Sequence, residues 1–197
     1  MVVLAIIVAI TTITLSSQSS FNKTIILSNT AYDVALTLRS AETYGLSSRA
    51  AGTMTGVGYG LHFDKTTPGS FTFFADTSPA PSASNCHGLP VGGATAPDAK
   101  PGNCTYDTGE KIMDYNLGNG IIVSDFCAYA LGSWSCAHAQ GGGLSTLDIV
   151  FARPNPDPFI NVNGTNACVA LASPQGGQRF VSVNAAGEIS ADAPSCP

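Results

Sequence analysis

Charge is scarce in this sequence: Asp, Glu, Lys and Arg make up 11% of its 197 residues, and none of them occurs before Lys23. An apolar N-terminal run with no basic residue ahead of it lacks the n-region of a secretory signal peptide. Histidine is limited to His62, His87 and His138, and no two cysteines stand in C-x-x-C spacing. The close ligand pairs of zinc modules are therefore missing, and the short pair Cys136 and His138 has no complementary pair elsewhere. Also lacking are a G-x-S-x-G elbow, a phosphate-binding loop, a dinucleotide fingerprint and an EF-hand pattern. Nothing in the residues argues for catalysis, and neither a cofactor nor a metal is expected. Basic residues number 8 against 13 acidic ones. Three of the basic and two of the acidic precede Thr53, so the remainder carries 5 against 11, a sign that repels phosphate backbones and excludes a general nucleic-acid face.

Helix breakers are absent from the start of the chain. The first Gly is Gly45 and the first Pro is Pro68, so the apolar run and the residues after it read as one helical element. Every residue from Met1 to Ile10 is apolar. Counted on to Leu15, the run is about 22 Å of helix, short of a hydrocarbon core of roughly 30 Å. Further along, Leu27, Ala31, Val34, Leu38, Ala41 and Gly45 recur at steps of three and four and form one apolar stripe. A second, partly apolar face carries Phe21, Ile25, Tyr32, Leu36 and Tyr44. A helix that packs one stripe on its own domain keeps the other for neighbours.

After Gly52 the period changes to two. Tyr59, Leu61 and Phe63 alternate with Gly58, Gly60 and His62, a strand with one buried face; Lys65 to Ser70 supplies a turn, and Phe71 to Asp76 returns. Thr77 to Asn103 carries five prolines and reads as a long loop. Ile121 to Cys127 and Thr146 to Ala152 are expected to pair. So are Ala167 to Ala172 and Arg179 to Val183, turned at Pro174 to Gly177, and Glu188 to Ser190 adds a short last strand. The six cysteines, Cys86, Cys104, Cys127, Cys136, Cys168 and Cys196, are even in number and widely spaced, which favours disulfides. Six cysteines allow about 15 connectivities; local closure favours Cys86 with Cys104, Cys127 with Cys136, and Cys168 with Cys196.

The run from Met1 to Ile10, followed by Thr and Ser and an amphipathic helix ending near Leu46 to Ala50, resembles the N-terminal helix of type IV pilins and type II secretion pseudopilins. The segments Leu147 to Pro154 and Gln178 to Ile189 resemble the closing strands of H-type pseudopilins and minor pilins. The resemblance implies an α+β, pilin-like fold: a long N-terminal helix (residues 1–52) packed on an antiparallel β-sheet head (residues 53–197, with a long loop at 77–103) stapled by disulfides. It implies a structural, non-enzymatic subunit of a type IV pilus or secretion pseudopilus, with Val2, Val3, Leu4, Ile6, Ile7, Ile10, Ile13 and Leu15 in the membrane or filament core. Its partners would be copies of itself or related pilins, the inner membrane before assembly, the assembly platform and the prepilin peptidase. Its final place would be a cell-surface filament or a periplasmic pseudopilus. Family precursors carry a basic leader, a Gly at the cleavage point and a Glu shortly after an N-methylated Phe. This chain starts inside the apolar run, so the expectation is that half a dozen residues precede Met1. The rival readings are a membrane-anchored or secreted adhesin that binds through 77–103, and a secreted hydrolase.

Overall fold

A computed structural model of the protein describes residues 2–47, 49–53, 56–77, 102–138, 143–153 and 156–196; the side chains of residues 5, 13–23 and 163 are outside that description. The chain begins with α1 (Val2–Leu46) and continues in strands. The first three are β1 (Gly58–Asp64), β2 (Ser70–Asp76) and β3 (Lys111–Asn116). Then come β4 (Ile122–Ala130), β5 (Ser133–Cys136), β6 (Thr146–Phe151) and β7 (Phe159–Ile160). The chain ends in β8 (Asn166–Ala172), β9 (Gln178–Val183) and β10 (Ile189–Ala193).

Among the described residues these strands form two five-stranded antiparallel sheets, in the orders β3-β2-β1-β6-β7 and β10-β9-β8-β4-β5. This overturns the expected fold class, a long helix packed on one antiparallel sheet head: the chain is mostly β. The expected pairing of Ile121–Cys127 with Thr146–Ala152 fails for the same reason. Both edges of β6 are taken by β1 and β7, and both edges of β4 by β8 and β5, so the two segments lie in different sheets. Alternation says which side chains share a face but not which strand lies alongside.

The two sheets and α1 close over one core. Tyr59, Leu61 and Phe63 of β1 and Leu147, Ile149 and Phe151 of β6 meet Phe126 of β4, Val169 and Leu171 of β8 and Val181 of β9, all buried. From α1 come Leu27, Ala31, Val34, Leu38 and Ala41, the stripe read from the three-and-four spacing. Its small residues let the helix lie close to the strands. A Cβ built on Gly45 would stand 2.1 Å from the carbonyl oxygen of Phe151, so only glycine fits there. Tyr44, expected on the free face, instead packs on this core, edge-on to Tyr59 and Phe73 with the Arg49 guanidinium 4.1 Å over its ring.

Two staples fall where local closure put them, Cys127–Cys136 across β4 and β5 and Cys168–Cys196 between β8 and the chain end. Cys104 is buried and disulfide-bonded. Its expected partner, Cys86, lies outside the described residues, as do 78–101 of the expected loop.

Candidate functional site

Among the described residues, the start of α1 presents a run of apolar side chains to solvent. Val2, Val3, Leu4, Ile6, Ile7, Val8 and Ile10 are each between 52% and 74% exposed. The hydroxyls of Thr11 and Thr12 donate back to the carbonyls of Ile7, Val8 and Ala9 at 2.7–3.0 Å, so the helix hides its polar groups and presents hydrocarbon. Of the residues expected in a membrane or filament core, Val2, Val3, Leu4, Ile6, Ile7 and Ile10 stand on this exposed surface. Ile13 and Leu15 lie on α1, but their side chains are outside those described. Among the described residues no helix is long and apolar enough to cross a membrane.

Where α1 docks, its outer face is partly apolar: Ile25, Ile26, Tyr32 and Leu36 are exposed there beside Asn29, Asp33 and Ser40. Phe21, assigned to the same face, has no described side chain. Beside Leu36 a groove of about 320 Å³ runs between α1 and β3, floored by Phe71, Tyr115 and Leu117. The rings of Phe71 and Tyr115 stack at 5.1 Å, which holds that floor flat.

A second site was missed in the sequence. The outer face of the first sheet, which the Gly58, Gly60 and His62 alternation presents as a solvent side, is covered by residues 102–107 and by Phe159. Three buried carboxylates fasten that cover. Asp76 accepts the backbone N–H groups of Asn103 and Cys104 at 2.8 and 2.7 Å. Glu110 accepts those of Thr77 and Asp107 at 2.7 and 2.8 Å. Asp148 accepts the N–H of Tyr106, pairs with His62 Nδ1 and takes a bond from Asn161 Nδ2 at 3.2 Å, while the Tyr106 ring lies against His62. His62 is therefore a half-buried partner of an acid, contrary to its reading as an outward-facing strand residue. Acids inside runs such as Leu147-Asp148-Ile149 and Phe74-Ala75-Asp76 were the available signal, because a buried carboxylate needs donors supplied by some other segment.

Burial pushes the Asp76 carboxyl up to about 7 against the two N–H bonds, with Glu110 and Asp107 adding to the rise. Asp148 moves in the same direction, again through burial, and the bond to His62 opposes it. The chemistry of this cluster is that of fastening: its acceptors take the backbone N–H groups of Asn103, Cys104, Tyr106 and Asp107 from the covering segment, and Thr77, His62 and Asn161 occupy the rest. His138 is exposed with Nδ1 3.4 Å from Asp125 Oδ1. Asp125, Cys127 and Cys136 bring three ligand-type atoms within 4.8 Å of one another, but the two sulfurs are joined in a disulfide and offer no thiolate. His87 lies outside the described residues.

Compared with known proteins, the chain matches no family model, no curated protein and no solved structure.

Proposed function

We propose that this chain is a structural subunit of a filament, of the type IV pilus or type II secretion pseudopilus kind, and that it assembles through the apolar end of α1. The observation that carries the reading is the exposure of seven Val, Leu and Ile side chains on one uncharged helix end. Covering the exposed half of each contributes roughly 1 to 1.5 kcal/mol, on the order of 7 to 10 kcal/mol for the set. The entropy of bringing two chains together costs about 4 to 15 kcal/mol, so one neighbour is a marginal cover and several are needed. Repeated contact with several copies is what a helical fibre supplies.

In this reading the subunit has no catalytic role and takes no cofactor. Before assembly the stretch from Val2 to Ile10, about 13 Å of helix, reaches about halfway into the hydrocarbon of the inner membrane. In the fibre, helices of copies or of related pilins replace the lipid, with a prepilin peptidase and an assembly platform acting on the chain beforehand. The disulfides fit a head that ends up outside the cytoplasm, on the cell surface or in the periplasm.

The test is Ile6→Asp in the full chain, with fibres recovered by shearing and sedimentation. The variant should yield no fibres while its disulfides and β circular dichroism match the parent. Fibres in parental amount from that variant would end the reading.

A further inference from the structure

The hairpin of β4 and β5 breaks a local rule at its tip. Its strands pair Cys127 with Cys136, Ala128 with Ser135, Tyr129 with Trp134 and Ala130 with Ser133. They close through Leu131 and Gly132, both at positive φ, 53° and 84°. Two-residue turns of this kind take Asn-Gly or Asp-Gly, since a left-handed backbone disfavours a side chain such as leucine. Leu131 nonetheless occupies the first position and is 100% exposed, so it contributes nothing to its own core. Strain retained at a residue that packs on nothing in its own fold points to a role outside that fold.

The rest of the hairpin fits that role. Tyr129 and Trp134 stand opposite each other two residues behind the turn, with ring centres 5.4 Å apart, and Trp134 is 37% exposed. Two residues further back the Cys127–Cys136 disulfide clamps the strands, so the tip is presented on a stiff support. No charged residue occurs between Asp125 and His138.

The tip also lies far from the exposed end of α1. Leu27 Cδ2 lies 3.6 Å from where a Cβ on Gly177 would stand, Ser28 accepts from Arg179 Nε at 3.0 Å and Arg39 reaches the carbonyl of Ile189, which pairs with Val183. The docked part of α1 thus runs in the direction of β9. Since β8 is antiparallel to both β9 and β4, β4 runs the same way as α1. Its turn therefore lies at the opposite end of the sheet from Pro174–Gly177.

We infer that this hairpin is a lipid-contact wedge, which inserts Leu131 into an uncharged phospholipid surface with Tyr129 and Trp134 at the headgroup level. An aliphatic leading residue backed by a Tyr/Trp pair matches the layering of a membrane interface, apolar first and amphipathic rings behind. The absence of basic residues on the hairpin, in a chain of net charge −5, selects neutral over anionic headgroups. The inference does not depend on filament assembly.

Trp134 is the single tryptophan, so it reports on its own position. Full-length protein is mixed with phosphatidylcholine vesicles carrying bromine on their acyl chains, and Trp134 quenching is followed against lipid concentration. The parent should be quenched, Leu131→Met should retain the effect, and Leu131→Asn, which suits the turn, should need at least about tenfold more lipid. Phosphatidylglycerol vesicles should quench less. The inference is overturned if Trp134 is not quenched or if Leu131→Asn quenches like the parent. Vesicle co-sedimentation without quenching leaves the α1 reading standing and removes this one.

Discussion

Replacing Asp76 by Asn should change how the stability of this protein depends on pH. The Asp76 side chain is 1% exposed and its folded-state pKa is about 7, against an ordinary value near 3.8. The folded state therefore binds the proton more tightly than the unfolded chain. The stabilisation this provides is complete below pH ~3.8 and is lost as pH rises through about 7. Between pH 5 and pH 8 the loss is roughly 2.5 to 3 kcal/mol. Asparagine stays neutral throughout, and since its amide group cannot accept both the Asn103 and Cys104 N–H bonds, it costs about 1 to 2 kcal/mol at every pH. The assay is guanidinium unfolding of the parent and Asp76→Asn with disulfides intact, at half-unit steps from pH 5 to pH 8. Set against that cost, the parent's advantage should be close to zero at pH 5 and should fall by roughly 2.5 to 3 kcal/mol by pH 8, where the variant is the more stable. If the two backbone bonds outweigh burial, the advantage will instead hold or grow with pH, and that result would refute the reasoning.

Two further outcomes concern packing and staples. Gly45→Ala should lower stability by about 1 to 3 kcal/mol in urea unfolding, despite alanine's better helix propensity, because the new methyl meets the Phe151 carbonyl. Opening Cys168–Cys196, which spans 28 residues, should cost roughly 3.6 kcal/mol by serine substitution, and opening Cys127–Cys136, which spans 9, roughly 2.6 kcal/mol. The reverse ranking would mean that residual structure, not loop closure, governs the unfolded state.

The parts of this fold that follow local rules were legible. The Leu27 to Gly45 stripe declares itself by spacing, and all six of its members are buried. The β8–β9 hairpin declares itself by two alternating runs around Pro174 to Gly177, and its register follows. What escaped was decided by distant partners. β3 is exposed over nearly its whole length and has no alternation to read, and β5 has only four residues. Gly58 and Gly60 looked like the solvent side of β1. They are small because Val150 crowds that side, where a Cβ would come within 2.7 to 2.9 Å of it. The division into two sheets was hidden because parity within a strand carries no information about its neighbour. The exposed end of α1 could be read directly, since an uncharged apolar run needs no partner to be recognised; the carboxylate fastening could not, because its donors lie in a segment remote in sequence from β2 and β6.

The most direct test of the central claim, that the apolar end of α1 is buried between copies, is cross-linking at Ile10. Fibres are formed from full-length Ile10→Cys protein and treated with a short bis-maleimide, beside a Thr66→Cys control on the exposed β1–β2 turn. The account predicts covalent dimers from position 10 and monomer from position 66. A monomer at position 10 in intact fibres, with dimers at position 66, would contradict it.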